Sequence, residues 1–218
     1  SSVGLLAAGV AHEINNPLAG VMACVRALRE GTVEGERRDE YFEAVRDGLE
    51  RIRATVQGLL DFARPQGSGV SEVDCTDIVN SCLLLLAPHV RKKSIQIDLR
   101  CERHPVTLFG NRSQFIQAAM NVLLNAIHAS PHGGTIEIDG VKDARRIGLR
   151  FTDHGTGIPK ALIPRVTDPF FTTKDPGQGT GLGLAVTAGI LLAHRGELAI
   201  DSEEGKGTTI TFWLPRPT

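Results

Sequence analysis

The chain has 218 residues, of which 41% are hydrophobic, and its 24 basic and 25 acidic residues give a formal net charge of -1. A chain of this length can bury a sizeable core, either as one large domain or as two small ones. Because the charges balance, nothing in the composition favours nucleic acid or an anionic membrane, and we predict no nucleic-acid partner and no direct membrane contact.

Segments typical of several other protein classes are missing from the sequence. No apolar run approaches the roughly 18 residues of a membrane span, and no signal peptide opens the chain. Cys24, Cys75, Cys82 and Cys101 lie far apart, which favours buried reduced thiols and a cytoplasmic protein. The start at Ser1, inside a helical pattern, predicts a fragment of a longer chain, and a membrane anchor further upstream stays open.

Two long amphipathic segments open the chain. In residues 3–29 and 37–64 apolar residues recur every three or four positions, which predicts two helices with one apolar face each. The short loop between them makes a helical hairpin, and its long apolar seams favour dimerisation into a four-helix bundle. Residues 65–69 are rich in Pro and Gly and predict a boundary between a hairpin domain, 1–66, and a second domain, 70–218.

The second domain mixes short helices and strands. Its patterns predict an α+β fold, with helices on one face of a mostly antiparallel sheet. We predict helices over 74–90, 112–129 and 179–194, and strands over 94–101, 106–109, 135–141, 146–152, 197–202 and 208–214. A long segment rich in Gly and Pro, 153–178, lies among them, and loops of that length are usually functional.

The helical pattern places His12 on the face opposite the apolar seam of the first helix. Glu13 is adjacent, Asn16 lies one turn later, and Pro17 lies within the helix, where it removes a hydrogen bond and bends the axis. An ordinary solvated histidine at a kinked helix explains this pattern. The alternative is a nucleophile, because a neutral imidazole is nucleophilic near neutral pH and a neighbouring carboxylate can take up or orient its proton.

Two glycine clusters predict a phosphate site. Gly155 and Gly157 follow a strand, and Gly179, Gly181 and Gly183 open a helix. Glycine lets a ligand approach the backbone closely, and a helix N-terminus presents unpaired N–H groups to anions. The alternative is a set of turns and helix caps, and the sequence pattern of a P-loop is missing.

Polar side chains interrupt the otherwise apolar segment 112–129. Gln117, Asn121 and Asn125 recur every four residues and share one helix face, so an amide oxygen there is placed to bind Mg²⁺. Bonds among these amides, or to the backbone, are the alternative. Asp153 ends a buried strand, where its carboxylate needs a donor such as the exocyclic amine of a purine.

Together these features resemble the sensor histidine kinases of two-component systems. The motifs occur in family order and resemble the H box (12–18, HEINNPL), the N box (121–125, NVLLN), the first glycine box (153–157, DHGTG), the F box (168–174, DPFFTTK), the second glycine box (179–184, GTGLGL) and the final glycine–threonine motif (205–208, GKGT). The sequences of the H box and the F box are similar to those of the nitrogen-regulation and dicarboxylate-sensor branch of the family.

The resemblance implies a fold, an activity and partners. The implied fold is a dimerising phosphotransfer hairpin followed by an α/β sandwich ATPase domain like that of gyrase and the heat-shock chaperones. The implied activity is an ATP-dependent protein-histidine kinase, which phosphorylates its own histidine from MgATP and passes the phosphoryl group to an aspartate of a response regulator. Dephosphorylation of that regulator is a further implied activity, and the implied assembly is a homodimer.

The resemblance also implies roles for individual residues of the hairpin. His12 is the implied phosphoacceptor, and Glu13 is the implied base that assists its attack on the γ-phosphate. Asn16 matches the position that orients water for dephosphorylation of the regulator.

In the second domain, the resemblance implies a set of nucleotide contacts. Asn125 would ligate Mg²⁺, Asp153 would hold the adenine amine, and Lys174 would reach a phosphate. The remaining implied contacts are Gln117, Asn121, Gly155, Gly157, Ile158, Phe170, Gly179, Thr180, Gly181, Leu182, Gly183 and Thr208. One departure concerns residues 126–129, because many family members carry an aromatic residue shortly after the second Asn of the N box and this chain has Ala, Ile, His and Ala.

Two other functions are compatible with parts of the sequence. An ATPase or Ser/Thr kinase of the same nucleotide-binding fold is disfavoured by the outward His12 and Glu13 on the seam helix. A scaffold whose hairpin only docks a regulator is disfavoured because Asn125, Asp153 and the glycine positions are intact.

Overall fold

The computed structural model describes residues 2–31, 33–63, 69–101, 103–174 and 181–216, with the side chains of 2–13, 36, 54–55 and 57–63 excepted. The chain divides into two units, Ser1–Pro65 together with Asp168–Leu182, and Gln66–Thr167 together with Gly183–Thr218. None of the described helices has the length and apolar character needed to cross a membrane.

A helical hairpin makes up most of the first unit. Helices α1 (Ser2–Arg29) and α2 (Glu36–Ala63) each run for 28 residues, close to the predicted bounds. The loop between them contains Gly31 and Gly35, both with positive φ. The helices approach closely at Gly48, because a Cβ atom there would overlap with the side chain of Val21.

Both helices of the hairpin leave large apolar side chains exposed. These residues are Leu18, Met22 and Val25 of α1 and Phe42, Leu49 and Val56 of α2, and Met22 is 57% exposed. Apolar surface of this extent on a long helix is typical of a contact with a further partner.

A five-stranded mixed sheet is the centre of the second unit. Its strands are β2 (Gln96–Leu99), β4 (Thr135–Lys142), β5 (Arg146–Asp153), β6 (Glu197–Glu203) and β7 (Gly207–Pro215), in the order β2-β4-β5-β7-β6. Strands β2 and β4 are parallel and the other neighbours are antiparallel, which agrees with the predicted, mostly antiparallel sheet.

A second sheet of two strands was not predicted in full. Strand β1 (Ser71–Asp74) pairs antiparallel with β3 (Thr107–Gly110), of which only β3 was expected. Val73 is the one apolar residue of β1 and the one that is buried. A single apolar residue gives no alternation by which a strand can be recognised.

Three helices provide the other layer. Helices α4 (Arg112–Ala129) and α5 (Gly183–Ala193) pack on the sheet, and α3 (Cys75–Lys92) packs beside α4. Between them, Phe151 of β5 and Phe212 of β7 place their ring centroids 5.2 Å apart in the core. Helix α5 begins later than predicted, because Gly181 has a φ of 65° and Leu182 is not helical.

Helix α4 is held at its N-terminal end by a histidine that follows α5. His194, just past the end of α5, accepts a hydrogen bond at Nε2 from the backbone N–H of Asn111 (3.0 Å), the N-cap of α4. Its Nδ1 bonds to the carbonyl of Ile190 (2.8 Å), and its ring lies 4.6 Å from that of Phe115. These partners require the neutral imidazole with the proton on Nδ1.

A lysine holds the other end of α4. Lys93 donates from Nζ to the backbone carbonyls of Ile127 (3.0 Å), His128 (2.9 Å) and Ser130 (2.9 Å). Carbonyls at a helix C-terminus lack intrahelical partners and carry the negative end of the helix dipole, so an ammonium group stabilises them. Helix α4 is therefore fixed at both ends by residues outside it.

Three cysteine thiols of the second unit are buried and should be unreactive in the folded chain. Burial raises the pKa of Cys82 and of Cys101 to about 12, and it raises that of Cys75 further. Since the thiolate is the reactive form, Ellman's reagent at mildly alkaline pH should reach at most one of the four thiols in the folded protein and all four in guanidinium chloride. Rapid labelling of two or more thiols without denaturant would contradict this arrangement.

Candidate functional site

The three predicted amides of α4 lie at the border between its buried and exposed faces. Gln117, Asn121 and Asn125 are all partly buried, while the apolar residues between them, such as Ala118 and Val122, are buried. Asn121 donates from Nδ2 to the carbonyl of Gly183, at the start of α5, over 3.0 Å. This bond fixes the amide of Asn121 and aligns α4 with the beginning of α5.

Asp153 lies at the end of a central strand of the sheet. It is the last residue of β5, is 7% exposed, and lies opposite Thr208 of β7 in the strand register. Its Oδ1 accepts a hydrogen bond from the backbone N–H of Gly155 over 2.9 Å. Burial raises the pKa of the Asp153 carboxyl, and the backbone N–H groups of Gly155 and Thr208 oppose that shift. A buried carboxylate at a strand end is a typical acceptor for a polar ligand.

Two hydroxyl groups form a hydrogen-bond network at Thr208, the residue opposite Asp153 in the strand register. The hydroxyls of Thr208 and Ser202 are 2.8 Å apart, and Ser202 also donates to the carbonyl of Gly207 (2.9 Å) and accepts from the N–H of Ile158 (2.8 Å). Because Ser202 has one proton and gives it to Gly207, Thr208 must be the donor to Ser202. The network places the predicted residues Ile158 and Thr208 together.

Ser202 is a residue of the candidate site that could not be recognised from the sequence. It lies in β6 on the same side as the inward-facing Leu198 and Ile200, and a polar residue at that inward position was the available signal. A serine in a strand is too common to single out without the neighbouring hydroxyl of Thr208.

The glycines of the first box are required by the protein's own packing. A Cβ atom at Gly155 would meet the backbone and side chain of Ala129, at the end of α4. Gly157 has a φ of 65°, and a Cβ there would meet the backbone of Glu203. The turn after β5 therefore touches both α4 and the β6–β7 turn. At Gly183, by contrast, a Cβ would make only ordinary contacts with Asn121, 3.6 Å away.

The F-box segment has a local structure of its own in the first unit. Phe170 has a φ of 66° and donates its backbone N–H to the carbonyl of Gly181 (3.1 Å), and Phe171 donates to the carbonyl of Asp168 (3.1 Å). The backbone N–H of Lys174 bonds to Oγ1 of Thr172 over 3.2 Å. Leu182 is buried, whereas the predicted residues Gly179 and Thr180 lie outside the described residues.

The hairpin carries the predicted phosphotransfer residues on α1. His12 and Glu13 belong to the helix, but the orientation of their side chains lies outside what the structure describes. Asn16, one helical turn after His12, is exposed. His128 lies within residues 126–129, where the sequence departs from the usual family pattern, and it is exposed at the end of α4.

Comparison with protein families covers both parts of the chain. Residues 2–68 match the His Kinase A (phospho-acceptor) domain, and residues 110–218, half of the chain, match the histidine kinase-, DNA gyrase B- and HSP90-like ATPases. The chain belongs to the sensor histidine kinases. The second match identifies an ATP-binding domain, and the order of the two matches confirms the predicted fold class, a helical hairpin followed by an ATPase domain of this type.

Individual relatives extend over almost all of this histidine kinase core. Sporulation kinase A of Bacillus subtilis is 34% identical over 99% of this chain and 35% of its own length. Sensor histidine kinase ZraS of Salmonella typhimurium is 33% identical over 98% of this chain and 46% of its own length. The chain thus spans less than half the length of these two relatives.

The crystal structure of histidine kinase ThkA in complex with response regulator protein TrrA shares the fold. It superposes with a TM-score of 0.79 and 22% sequence identity, over 99% of this chain and 62% of that one.

Replacement of Asp153 by Asn should change the thermal stability of the chain in a pH-dependent way. A carboxyl whose pKa is raised by folding stabilises the fold when protonated, and that contribution is lost as the pH rises through the folded-state pKa. At neutral pH Asp153→Asn should therefore raise the melting temperature, and the difference from the parent should shrink towards acidic pH. Thermal melts across that pH range provide the measurement. A variant that melts lower than the parent at neutral pH would contradict the account.

Replacement of Gly155 by Ala should destabilise the second unit. The added methyl group must displace the backbone of Ala129, an overpacking that typically costs about 1–3 kcal/mol. Gly189→Ala is the matched control, because nothing lies within 4 Å of a Cβ at that exposed position of α5. Urea midpoints should fall for Gly155→Ala and stay equal or rise for Gly189→Ala, and equal falls in both variants would refute the close contact.

Proposed function

We propose that this chain is the catalytic core of a histidine kinase, which phosphorylates His12 from MgATP and passes the phosphoryl group to an aspartate of a response regulator. The observation that supports the proposal is that one chain joins a phospho-acceptor domain over residues 2–68 to an ATP-binding domain, in which α4 carries three partly buried amides and β5 ends at the buried Asp153.

The adenine end of the nucleotide belongs at Asp153. A carboxylate offers about four lone-pair directions, so after its bonds to the backbone N–H groups of Gly155 and Thr208 it retains acceptor capacity for an exocyclic amine. The hydroxyl of Thr208, held by Ser202, supports the same contact. The turn at Gly155, Gly157 and Ile158 lines this end of the site, because Ile158 is tied to Ser202.

The chemistry of the donors on α4 fits Mg²⁺. Amide oxygens are hard ligands of the type that Mg²⁺ prefers, and Mg²⁺ is usually bound by one or two protein groups together with substrate phosphates and water. No group of three or more His, Cys, Asp or Glu among the described residues is arranged to hold a metal by itself. Asn125 would hold the ion, with Gln117 and Asn121 beside it, and the ion would offset charge on the phosphates.

The phosphate end of the nucleotide belongs to the segment between the F box and α5. Lys174 supplies a cation for the phosphates, and the glycine-rich start of α5 supplies backbone N–H groups. The further residues that we assign to this end are Phe170, Gly179, Thr180, Gly181, Leu182 and Gly183.

The transfer itself is a displacement at phosphorus. A lone pair of the His12 imidazole forms the new N–P bond while the bond from the γ-phosphorus to the bridging oxygen breaks, and ADP leaves with those electrons. Glu13 accepts or orients the imidazole proton, which raises the nucleophilicity of the attacking nitrogen. A carboxylate of the regulator then takes the phosphoryl group from His12, and the imidazole leaves. Asn16 would position water when the regulator is dephosphorylated.

The assembly that we propose follows from the exposed hairpin. Residues 1–66 would form the dimerisation and phosphotransfer domain and residues 70–218 the ATP-binding domain. The exposed Leu18, Met22, Val25, Phe42 and Leu49 of α1 and α2 supply the apolar surface for a four-helix bundle with a second copy. The complex of ThkA with TrrA supports a response regulator as the partner. Membership of the nitrogen-regulation and dicarboxylate-sensor branch stays a prediction.

The phosphoacceptor can be tested by the stability of the phosphorylated product. Incubation with MgATP labelled at the γ-phosphate should give acid-labile, base-stable phosphate, which is the behaviour of phosphohistidine. His12→Gln should lose all of it, while His89→Gln, a matched change at an exposed histidine of α3, should keep it. Full labelling of His12→Gln, or acid-stable phosphate on the parent, would refute the assignment.

The nucleotide site can be tested separately. Asn125→Ala should abolish labelling of His12 while the protein keeps the oligomeric state and melting curve of the parent. Asp153→Asn should weaken binding of a fluorescent ATP analogue by at least about tenfold, since it replaces a charged acceptor of the adenine amine. Unchanged nucleotide affinity in Asp153→Asn would remove Asp153 from the site.

A further inference from the structure

A cavity lies at the opposite end of strand β5 from Asp153. Its volume is about 820 Å³, and its walls include Asp143, Arg145, Arg146, Arg195, Glu197 and Trp213. Strand β5 begins at Arg146, on this cavity, and ends at Asp153, so the two sites are about 23 Å apart at 3.3 Å per residue. The nucleotide chemistry proposed above makes no use of this end of the unit.

The walls of this cavity carry more basic than acidic side chains. Arg146 takes up both carboxylates, with 3.0 Å to Asp143 and 3.4 Å to Glu197, and its guanidinium stacks 4.5 Å from the centroid of the Trp213 ring. Arg145 and Arg195 form no ion pair within the described parts of the chain. Two guanidinium groups are therefore available to an anion beside an aromatic floor.

Arg195 stands at a backbone position that arginine rarely occupies. The N–H of Gly196 bonds to the carbonyl of Leu191 (2.8 Å) and that of Arg195 to the carbonyl of Leu192 (2.9 Å), which is the Schellman pattern at a helix end. The first residue past the cap in this pattern is usually Gly, whereas Arg195 adopts a φ of 57°. A left-handed residue with a side chain is strained, and such outliers point to a function of the side chain.

We propose that this cavity binds an extended acidic segment of a partner protein. Carboxylates of the segment pair with Arg145 and Arg195, since guanidinium groups bind carboxylates through paired hydrogen bonds. Its aliphatic atoms lie beside Trp213, on whose ring Arg146 is stacked.

Trp213 provides the measurement, because it is the single Trp of the chain. We would titrate the full 218-residue chain with a hexaglutamate peptide and follow tryptophan emission, with hexaglutamine as the uncharged control and with inorganic phosphate and citrate as small anions. The expected result is a saturable change with hexaglutamate that weakens as salt is added. A response to hexaglutamine of equal affinity, or binding of phosphate or citrate as tight as that of the peptide, would overturn the proposal.

Two variants assign the binding to the arginines. Arg195→Gly keeps the backbone conformation and removes the cation, so it should weaken hexaglutamate binding by about tenfold while the melting temperature stays the same or rises. Arg145→Gln should weaken binding to a similar degree. Arg91→Gln, at an exposed position of α3, is the matched control and should bind as the parent does. Parent-like affinity in Arg195→Gly and Arg145→Gln would refute the site.

Discussion

The burial of the Asp153 carboxylate at the end of a central strand is the constraint on which the arrangement of the candidate site depends. A carboxylate removed from water must be compensated by donors, and the backbone N–H of Gly155 is one of them. That bond is possible only if the chain turns sharply after β5, and the turn lies so close to Ala129 that no side chain fits at Gly155. The position of α4 and the acceptor at Asp153 are therefore set together.

Helix α4 contributes both to the hydrophobic core and to the candidate site. Its apolar residues fill the core against the sheet, and its amides lie at the border of that core, where Asn121 contacts the start of α5. A helix that slid or rotated by one residue would bury an amide and expose an apolar side chain, because residues on an α-helix turn by about 100° each. The spacing of the three amides is thus a property of both the fold and the site.

Much of this organisation could be predicted, because it is encoded in local patterns. The apolar spacing gave α1, α2 and α4 nearly to the residue, and the alternation in 135–141 and 146–152 gave β4 and β5. The glycine boxes and the amides of α4 could be found by type and spacing, and family resemblance suggested their roles. A motif of this kind carries its signal within a few consecutive residues.

Most of the features that escaped prediction depend on pairs of residues distant in sequence. Ser202 can be recognised only from its hydrogen bonds to Thr208 and Ile158. Strand β1 can be recognised only from its pairing with β3. The strain at Arg195 is a matter of one backbone angle, and nothing in the local sequence distinguishes it from an exposed arginine at a helix end. The hydroxyl pair and the β1–β3 pairing become visible only in the assembled sheets, and the angle at Arg195 only in the folded helix end.

The two anchors of α4 also bear on how the second unit forms during synthesis. Lys93 reaches Ile127 across 34 residues, and Asn111 meets His194 across 83. The C-terminal end of α4 can be fixed as soon as the helix has left the ribosome, since Lys93 is made before it. Its N-terminal end has to wait for residue 194, so the face that carries the amides is completed only when nearly the whole unit has been translated.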